Sequence, residues 1–469
     1  MSKNIFAVFI TVLTVATLLL NACAPQLTQL EQVRQDGELR VVTRESPTTY
    51  YSSPYGNAGL EYELINAFAD YLGVKTSIKT DNNIDRILSK IESGKAHIAA
   101  AGLTITEGRK QRVRFTPAYQ HITQQVIYRT GVPKPESIED LINSHIEVSS
   151  NSSHAETLHE LQQEWPELTW DENAQIKSTE LMNMVAEQLI DFTIVNSNEA
   201  ALQRRYHPEL RVAFDISDAL GLAWAMQKTG DNSLYNEAVK FFNTYKEEGK
   251  LDLLLAKHYG HIRKYNYAGT PTYLRHIKQR MTRYQSMFEE AANRNNIDWY
   301  LLAAISYQES NWDPHAISPT GVRGIMMLTQ STAKQLGVTK RTDVKQSIDG
   351  GARYLSSLYD RFDGVAEPDR TWLTLASYNV GFGHVKDARM LTEQRGGNPN
   401  QWADVKESLP LLRQRKWYKK TQYGYARGHE PVRYVENIRS YYDILRWQYE
   451  MAEERTSSTN TLAFNSPVL

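Results

Sequence analysis

The chain has 469 residues, 41% of them apolar, and a net charge of −1 at pH 7. That length argues for more than one domain, and nothing in the near-neutral balance points to nucleic acid or another polyanion as a partner. A single cysteine, Cys23, excludes an intrachain disulfide and a thiolate cluster. The 12 histidines show no metal-ligand spacing, so neither a metal nor another cofactor is expected.

Lys3, a charge-free apolar run from Ile5 to Leu20, and Asn21-Ala22-Cys23 open the sequence. A basic start and an apolar core have the form of a secretory signal, here residues 1–22. Its end, Leu20-Asn21-Ala22-Cys23, resembles a bacterial lipobox, which implies lipidation of Cys23 as the first mature residue. Ala24, not Asp, follows, and this implies an anchor on the periplasmic side of the outer membrane. Cleavage near Ala22-Cys23-Ala24 without a lipid and an uncleaved anchor are the alternatives.

From Gly37 short apolar runs alternate with helical stretches. Leu39–Thr43, Thr76–Ile78 and His97–Ala101 read as strands, and Tyr62–Leu72 and Ile84–Glu92 as helices. This order predicts an α/β domain with a largely parallel sheet over residues 37–262. Gly59-Leu60-Glu61-Tyr62-Glu63-Leu64, Leu103-Thr104-Ile105-Thr106-Glu107-Gly108-Arg109 and Phe115-Thr116-Pro117-Ala118-Tyr119 carry a resemblance to the periplasmic amino-acid-binding proteins of ABC transporters. The resemblance implies two lobes, the second running from about Lys134 to Ala219. It also implies that Thr104 and Arg109 hold a ligand carboxylate, a geometry that suits a hydroxyl and a guanidinium fork. Ser152 and Ser153, ahead of a helix over Ala155–Leu161, are expected to add anion contacts. Asn196 stands where the family carries an Asp for the ligand's α-amino group. An amide lacks that negative charge, so free amino acids are not the expected ligand. Peptides released from the cell wall are, with lobe closure regulating the second domain; a purely structural domain is the alternative.

Ala268-Gly269-Thr270-Pro271 marks a break, and residues 270–451 read as helical almost throughout. The main predicted helices are Tyr273–Asn293, Trp299–Ser310, Gln330–Leu336, Ile348–Tyr359, Trp372–Tyr378 and Val432–Tyr449. In the second of these, Leu302, Ile305 and Glu309 share one face, with Asp298 as start signal and Pro314 as stop. Glu309 thus ends an apolar stripe in the last turn. Desolvation and the helix dipole both raise its pKa there, which suits a proton donor to a leaving oxygen. Residues 452–469, rich in Ser, Thr and Asn, read as a disordered tail.

Glu309-Ser310, then Ser318, then Gly321-Val322-Arg323-Gly324-Ile325-Met326-Met327, then Ala376-Ser377-Tyr378-Asn379-Val380-Gly381 resemble the catalytic domain of lytic transglycosylases, a lysozyme-like family. Met327 replaces the family's usual Gln. The fold class expected is therefore a two-lobed α/β periplasmic-binding-protein-like domain followed by an all-α lysozyme-like domain. The resemblance implies non-hydrolytic cleavage of peptidoglycan glycan strands with Glu309 as the single catalytic acid. It further implies that Ser310 and Ser318 orient Glu309 and the substrate N-acetyl group, and that Met326, Tyr378, Asn379 and Tyr425 contact sugar, with Tyr434 a further aromatic candidate. A goose-type muramidase and a solute sensor with an inactive hydrolase-like domain are the alternatives.

Overall fold

The computed structural model describes residues 27–53, 56–174, 176–263, 269–319 and 321–464, so Cys23 and the export segment lie outside it. The described residues form two compact units: those up to 50 with 61–121 and 221–248, and those in 51–60 with 122–220 and from 249 onward.

In the first unit, β1 (Glu38–Thr43) pairs in parallel with β2 (Lys75–Thr80) and β3 (Ile98–Thr104). Helix α1 (Leu60–Leu72) and α2 (Ile84–Glu92) supply the crossovers. Asn83 caps α2 through the Arg86 N–H, and the spacing of Ile87, Leu88 and Ile91 buries one face against the sheet. β4 (Val113–Phe115) follows, and the chain then leaves this unit.

It enters the second unit at Ile122, before the predicted Lys134, because β5 (Gln124–Arg129) is the centre of a three-stranded antiparallel sheet. Val126 and Ile127 of β5 are fully buried, one on each face. After α3 (Ser153–Leu161), β6 (Thr193–Asn196), α4 (Ser197–Gln203) and β7 (Leu210–Asp215), β8 (Leu220–Gln227) returns the chain to the first sheet. β8 pairs antiparallel with both β3 and β4, so that sheet is mixed where a largely parallel one is predicted. A strand arriving from a distant excursion has no helical crossover to force a parallel entry. With α5 (Ser233–Glu247) it closes an aromatic core in which Trp224 meets Phe68 at 5.7 Å and Phe242 at 4.6 Å. Glu61 of the resemblance motif is part of this packing, since Tyr119 O–H, Trp224 Nε1–H and Gly102 N–H all donate to its buried carboxyl.

Helix α6 (Lys250–Arg263) belongs to the second unit, and from Thr270 the chain is helical: α7 (Thr270–Gln279), α8 (Gln285–Arg294), α9 (Trp299–Ser310), α10 (Val344–Tyr359), α11 (Asp369–Val380), α12 (Phe382–Gln394), α13 (Arg415–Tyr418) and α14 (His429–Phe464). The single helix predicted over Tyr273–Asn293 is instead two, split by a 3-10 turn at Met281–Arg283. The turn redirects the chain so that Tyr273, Met281 and Phe288 all enter one core. Helix α14 runs on to Phe464. Glu450-Met451-Ala452-Glu453-Glu454-Arg455 are strong helix formers, and extending a helix costs less than starting one.

Within the second unit the β5–β7 lobe is joined to the helical part by specific contacts. Arg205, 2% exposed, lies 2.8 Å from Asp443, Tyr206 stacks on Trp447 at 4.9 Å, and Arg439 donates to the Lys257 carbonyl.

Candidate active site

Helix α9 begins as its residues dictate. Asp298 accepts from the Tyr300 N–H at 2.9 Å, and the Tyr442 O–H holds its other oxygen at 2.7 Å. The helix stops at Ser310 because Asn311 turns left-handed at φ 53, a conformation Asn tolerates better than most residues. The stop therefore comes before Pro314. Trp312, also left-handed at φ 57, folds back so that its Nε1–H reaches the Ala303 carbonyl. This indole, Tyr307 and Tyr273 are core, with Tyr307 and Trp312 rings 4.6 Å apart.

Leu302 and Ile305 are fully buried and Glu309 is partly so, at the end of that face. Burial pushes the Glu309 carboxyl up to about 7, against the opposing pull of one hydrogen bond from Tyr434. That phenol, on α14 and only 4% exposed, donates to Glu309 Oε1 at 2.6 Å. It favours the ionised form, so the two influences hold the carboxyl near the middle of its titration at neutral pH. Tyr434 and Tyr378 are both raised well above an ordinary phenol by burial, and both remain O–H donors. Asp313, four residues on, has its carboxylate engaged by the His315 N–H.

The Gly-rich segment after α9 is held by its backbone. The Ile325 carbonyl accepts from Ser306 at 3.0 Å and Ser310 at 2.9 Å, and the Met326 carbonyl accepts from the Tyr378 O–H at 3.1 Å. Ser347 Oγ accepts the Met326 N–H. The structure therefore takes the Ser310 hydroxyl to main-chain oxygens and away from the orienting bond to Glu309 predicted for it; its place in the last buried turn leaves it facing α9's neighbour. Met326 is likewise fully buried against Gly351, which removes its side chain from sugar contact. Ser318 accepts from the Val322 N–H within its own turn. Asn379 is exposed at the end of α11, Tyr378 is partly buried beside Tyr354 at 5.1 Å, and Tyr425 is 53% exposed.

Sequence reasoning missed Ser306 and Ser347, and it placed Tyr434 on sugar when its hydroxyl is on Glu309. No local pattern signals a partner 125 positions away. Replacing Tyr434 with Phe is expected to raise the Glu309 pKa further, because the removed donor favours the carboxylate. The alkaline limb of the kcat/KM profile then moves to higher pH, with a loss of about tenfold in kcat as the carboxylate form loses support. An unmoved limb would mean that this bond does not set the proton affinity.

The binding candidates of the first half separate by unit. Thr104 and Arg109 are both buried in the first, where Arg109 Nη1 donates to the Thr104 carbonyl at 3.2 Å. Ser152 and Asn196 lie in the second. Ser152 caps α3 through the Ala155 N–H, and Asn196 Oδ1 meets His154 Nε2 at 3.0 Å. Gln124 pairs with Asn196 across β5 and β6, which puts both side chains on one face. Its fully buried carboxamide has no hydrogen-bond partner among the described residues.

A profile described as "Transglycosylase SLT domain" matches residues 286–400, and "Bacterial extracellular solute-binding proteins, family 3" matches residues 39–261. Among solved structures, a mutant of ArgBP from T. maritima is 21% identical, covering 49% of this chain and 99% of that one with a TM-score of 0.45. Membrane-bound lytic murein transglycosylase F 1 of Alkalilimnicola ehrlichii is 50% identical over 90% of this chain and 85% of its own. The proteins named membrane-bound lytic murein transglycosylase F in Saccharophagus degradans and Pseudomonas fluorescens are 49% and 48% identical, over 90% and 92% of this chain and 84% and 89% of theirs. The α/β solute-binding-like fold, the helical domain and this full-length similarity together show that the chain belongs to the membrane-bound lytic murein transglycosylase F family.

Proposed function

We propose that the protein is a lytic transglycosylase that cuts the β-1,4 bond between MurNAc and GlcNAc in peptidoglycan without water. The observation that carries this reading is one carboxyl, Glu309, raised to about 7 by burial and held by a tyrosine. In the proton-bearing form Glu309 gives its proton to the glycosidic oxygen, and the bond to C1 of MurNAc breaks. The substrate's N-acetyl oxygen shares the positive charge left at C1. Glu309, now a carboxylate, takes the proton of the same sugar's C6 hydroxyl as that oxygen closes on C1, leaving a 1,6-anhydro-MurNAc end and a regenerated acid. Intramolecular attack supplies its own high effective concentration, so a second carboxylate is not needed. Mass spectrometry of digested sacculi tests this, because an anhydro end is lighter by one water than the reducing end a muramidase leaves. Reducing ends as the sole product would overturn it.

The solute-binding-like domain is proposed to bind wall-derived peptides, with Thr104, Arg109, Ser152 and Asn196 as its candidate contacts. The Asn196 and Gln124 carboxamides are polar but carry no charge, which leaves them unsuited to pair with a free α-ammonium. Calorimetry on the full chain is expected to show heat with peptidoglycan stem peptides and none with free amino acids. Silence with every stem peptide would leave the domain a structural one. Membrane association follows the relatives' name, and lipidation of Cys23 with residence at the outer membrane is the proposed route. No described helix is long and apolar enough to cross a membrane.

A further inference from the structure

Residues 412–429 contain Arg413, Arg415, Lys416, Lys419, Lys420 and Arg427 and no Asp or Glu, in a chain whose net charge is −1. All six are exposed. Arg427 pairs with Glu430 at 3.3 Å, whereas the other five have no ion pair among the described residues. Lys416 and Lys420 lie 5.5 and 5.6 Å from the Trp417 ring, so they flank one aromatic side chain. Ordinary solvated surfaces intersperse both signs, and five uncompensated cations within eight positions repel one another. Aromatics are interleaved with them. Tyr423 and Tyr425 are 48% and 53% exposed, and Tyr425 meets Tyr418 edge to face at 5.8 Å.

The strip is fixed to α12, the helix that follows Tyr378 and Asn379 in the chain. Asp387 of α12, itself 3% exposed, accepts the N–H groups of Gln422 and Tyr423 at 3.0 and 2.8 Å. The Tyr423 ring fills the place of a side chain on Gly383, with a Cβ there only 2.5 Å from it. Gly383 is in the first turn of α12, four residues after Asn379, and the other end of the strip runs into α14, which carries Tyr434. Gly428 closes that end, since a Cβ there would sit 1.7 Å from the Leu409 carbonyl oxygen.

We propose that this strip is an extended substrate subsite that takes the carboxylates of stem peptides still attached to the glycan. The inference rests on the transglycosylase reading. The sugars of the strand offer faces for the tyrosines to stack on, while the negative charges sit on the peptides. Continuity with the Tyr378–Asn379 end of the site favours a substrate over a phospholipid surface, although cations and aromatics together suit both.

The test replaces Arg415, Lys416, Lys419 and Lys420 together by Gln in the full chain. Two readouts are taken on intact sacculi and on glycan strands stripped of peptides by an amidase: kcat and KM, and co-sedimentation of the protein, which needs no turnover. On peptide-bearing sacculi at low salt the variant is expected to show about tenfold higher KM, unchanged kcat and proportionally weaker co-sedimentation. On stripped strands it matches the parent. Raising salt from about 50 to about 300 mM weakens the parent and not the variant. Equal losses on both substrates, or none on either, overturn the subsite. So does a variant that loses only its binding to vesicles of anionic phospholipid, because the strip is then a membrane contact. A parent that co-sediments through the strip yet releases no anhydro ends would sink the transglycosylase reading and leave the charge recognition standing.

Discussion

Replacing Glu309 with Gln is expected to lower the release of anhydro ends by at least about a thousandfold, because one group supplies both the acid and the base. The same substitution is expected to stabilise the protein above neutral pH. The folded carboxyl titrates near about 7 and the unfolded one near 4.5. Between those values the unfolded chain has released its proton and the folded chain still binds it. The contribution of this carboxyl to stability is thus intact below about pH 4.5, falls as pH rises and is lost above about pH 7. The full cost of ionising this carboxyl in place is on the order of 3 kcal/mol. Glutamine keeps the Tyr434 O–H partnered and carries no charge. Melting is expected to rise in the variant at about pH 8 and to be nearly unchanged at about pH 4. Digestion of sacculi at the parent's rate would show that this carboxyl is not the acid, and equal melting shifts at both pH values that it is not in a dry place.

Gly324→Ala is the second large effect. Gly324 has φ +94, and a Cβ there would lie 2.0 Å from the Arg341 carbonyl oxygen and 3.3 Å from Ser347 Oγ. The first obstacle is main chain and cannot rotate away. A loss of roughly 3 kcal/mol or more is expected, read as a lower urea midpoint. Activity falls with it, since the displaced segment bears the Ile325 and Met326 carbonyls that hold Ser306, Ser310 and Tyr378. Gly321→Ala is the control, because Gly321 has φ +78 but open space around it and costs only about 1 kcal/mol. Equal effects of the two would show that backbone conformation alone, not the contact with Arg341, makes Gly324 necessary.

The misreadings have a common origin in distance along the chain. Where an interaction closes within a few residues, the sequence reading agrees with the structure, as with Asp298 on the Tyr300 N–H. Ser310 is adjacent to Glu309, and the family resemblance implied that it orients that carboxyl. In a helix, however, neighbouring side chains diverge by about 100°, and the Ser310 hydroxyl went to Ile325. Tyr434 was visible as an aromatic, but its direction depends on how α14 crosses α9. The same holds for Asn196. Its loss of charge was legible from the residue alone, whereas its pairing with His154 and the isolation of Gln124 required the packed lobe.

By itself, then, the sequence determined the order of the two domains, the limits of helix α9 and the place of Glu309 at the end of an apolar face, since periodicity and capping act over one or two turns. Tertiary structure alone decided which hydroxyl meets that carboxyl, how dry it is, and where Ser310 and Met326 point. Those outcomes depend on desolvation and on contacts between helices far apart in the chain, and neither has a local signature in the order of residues.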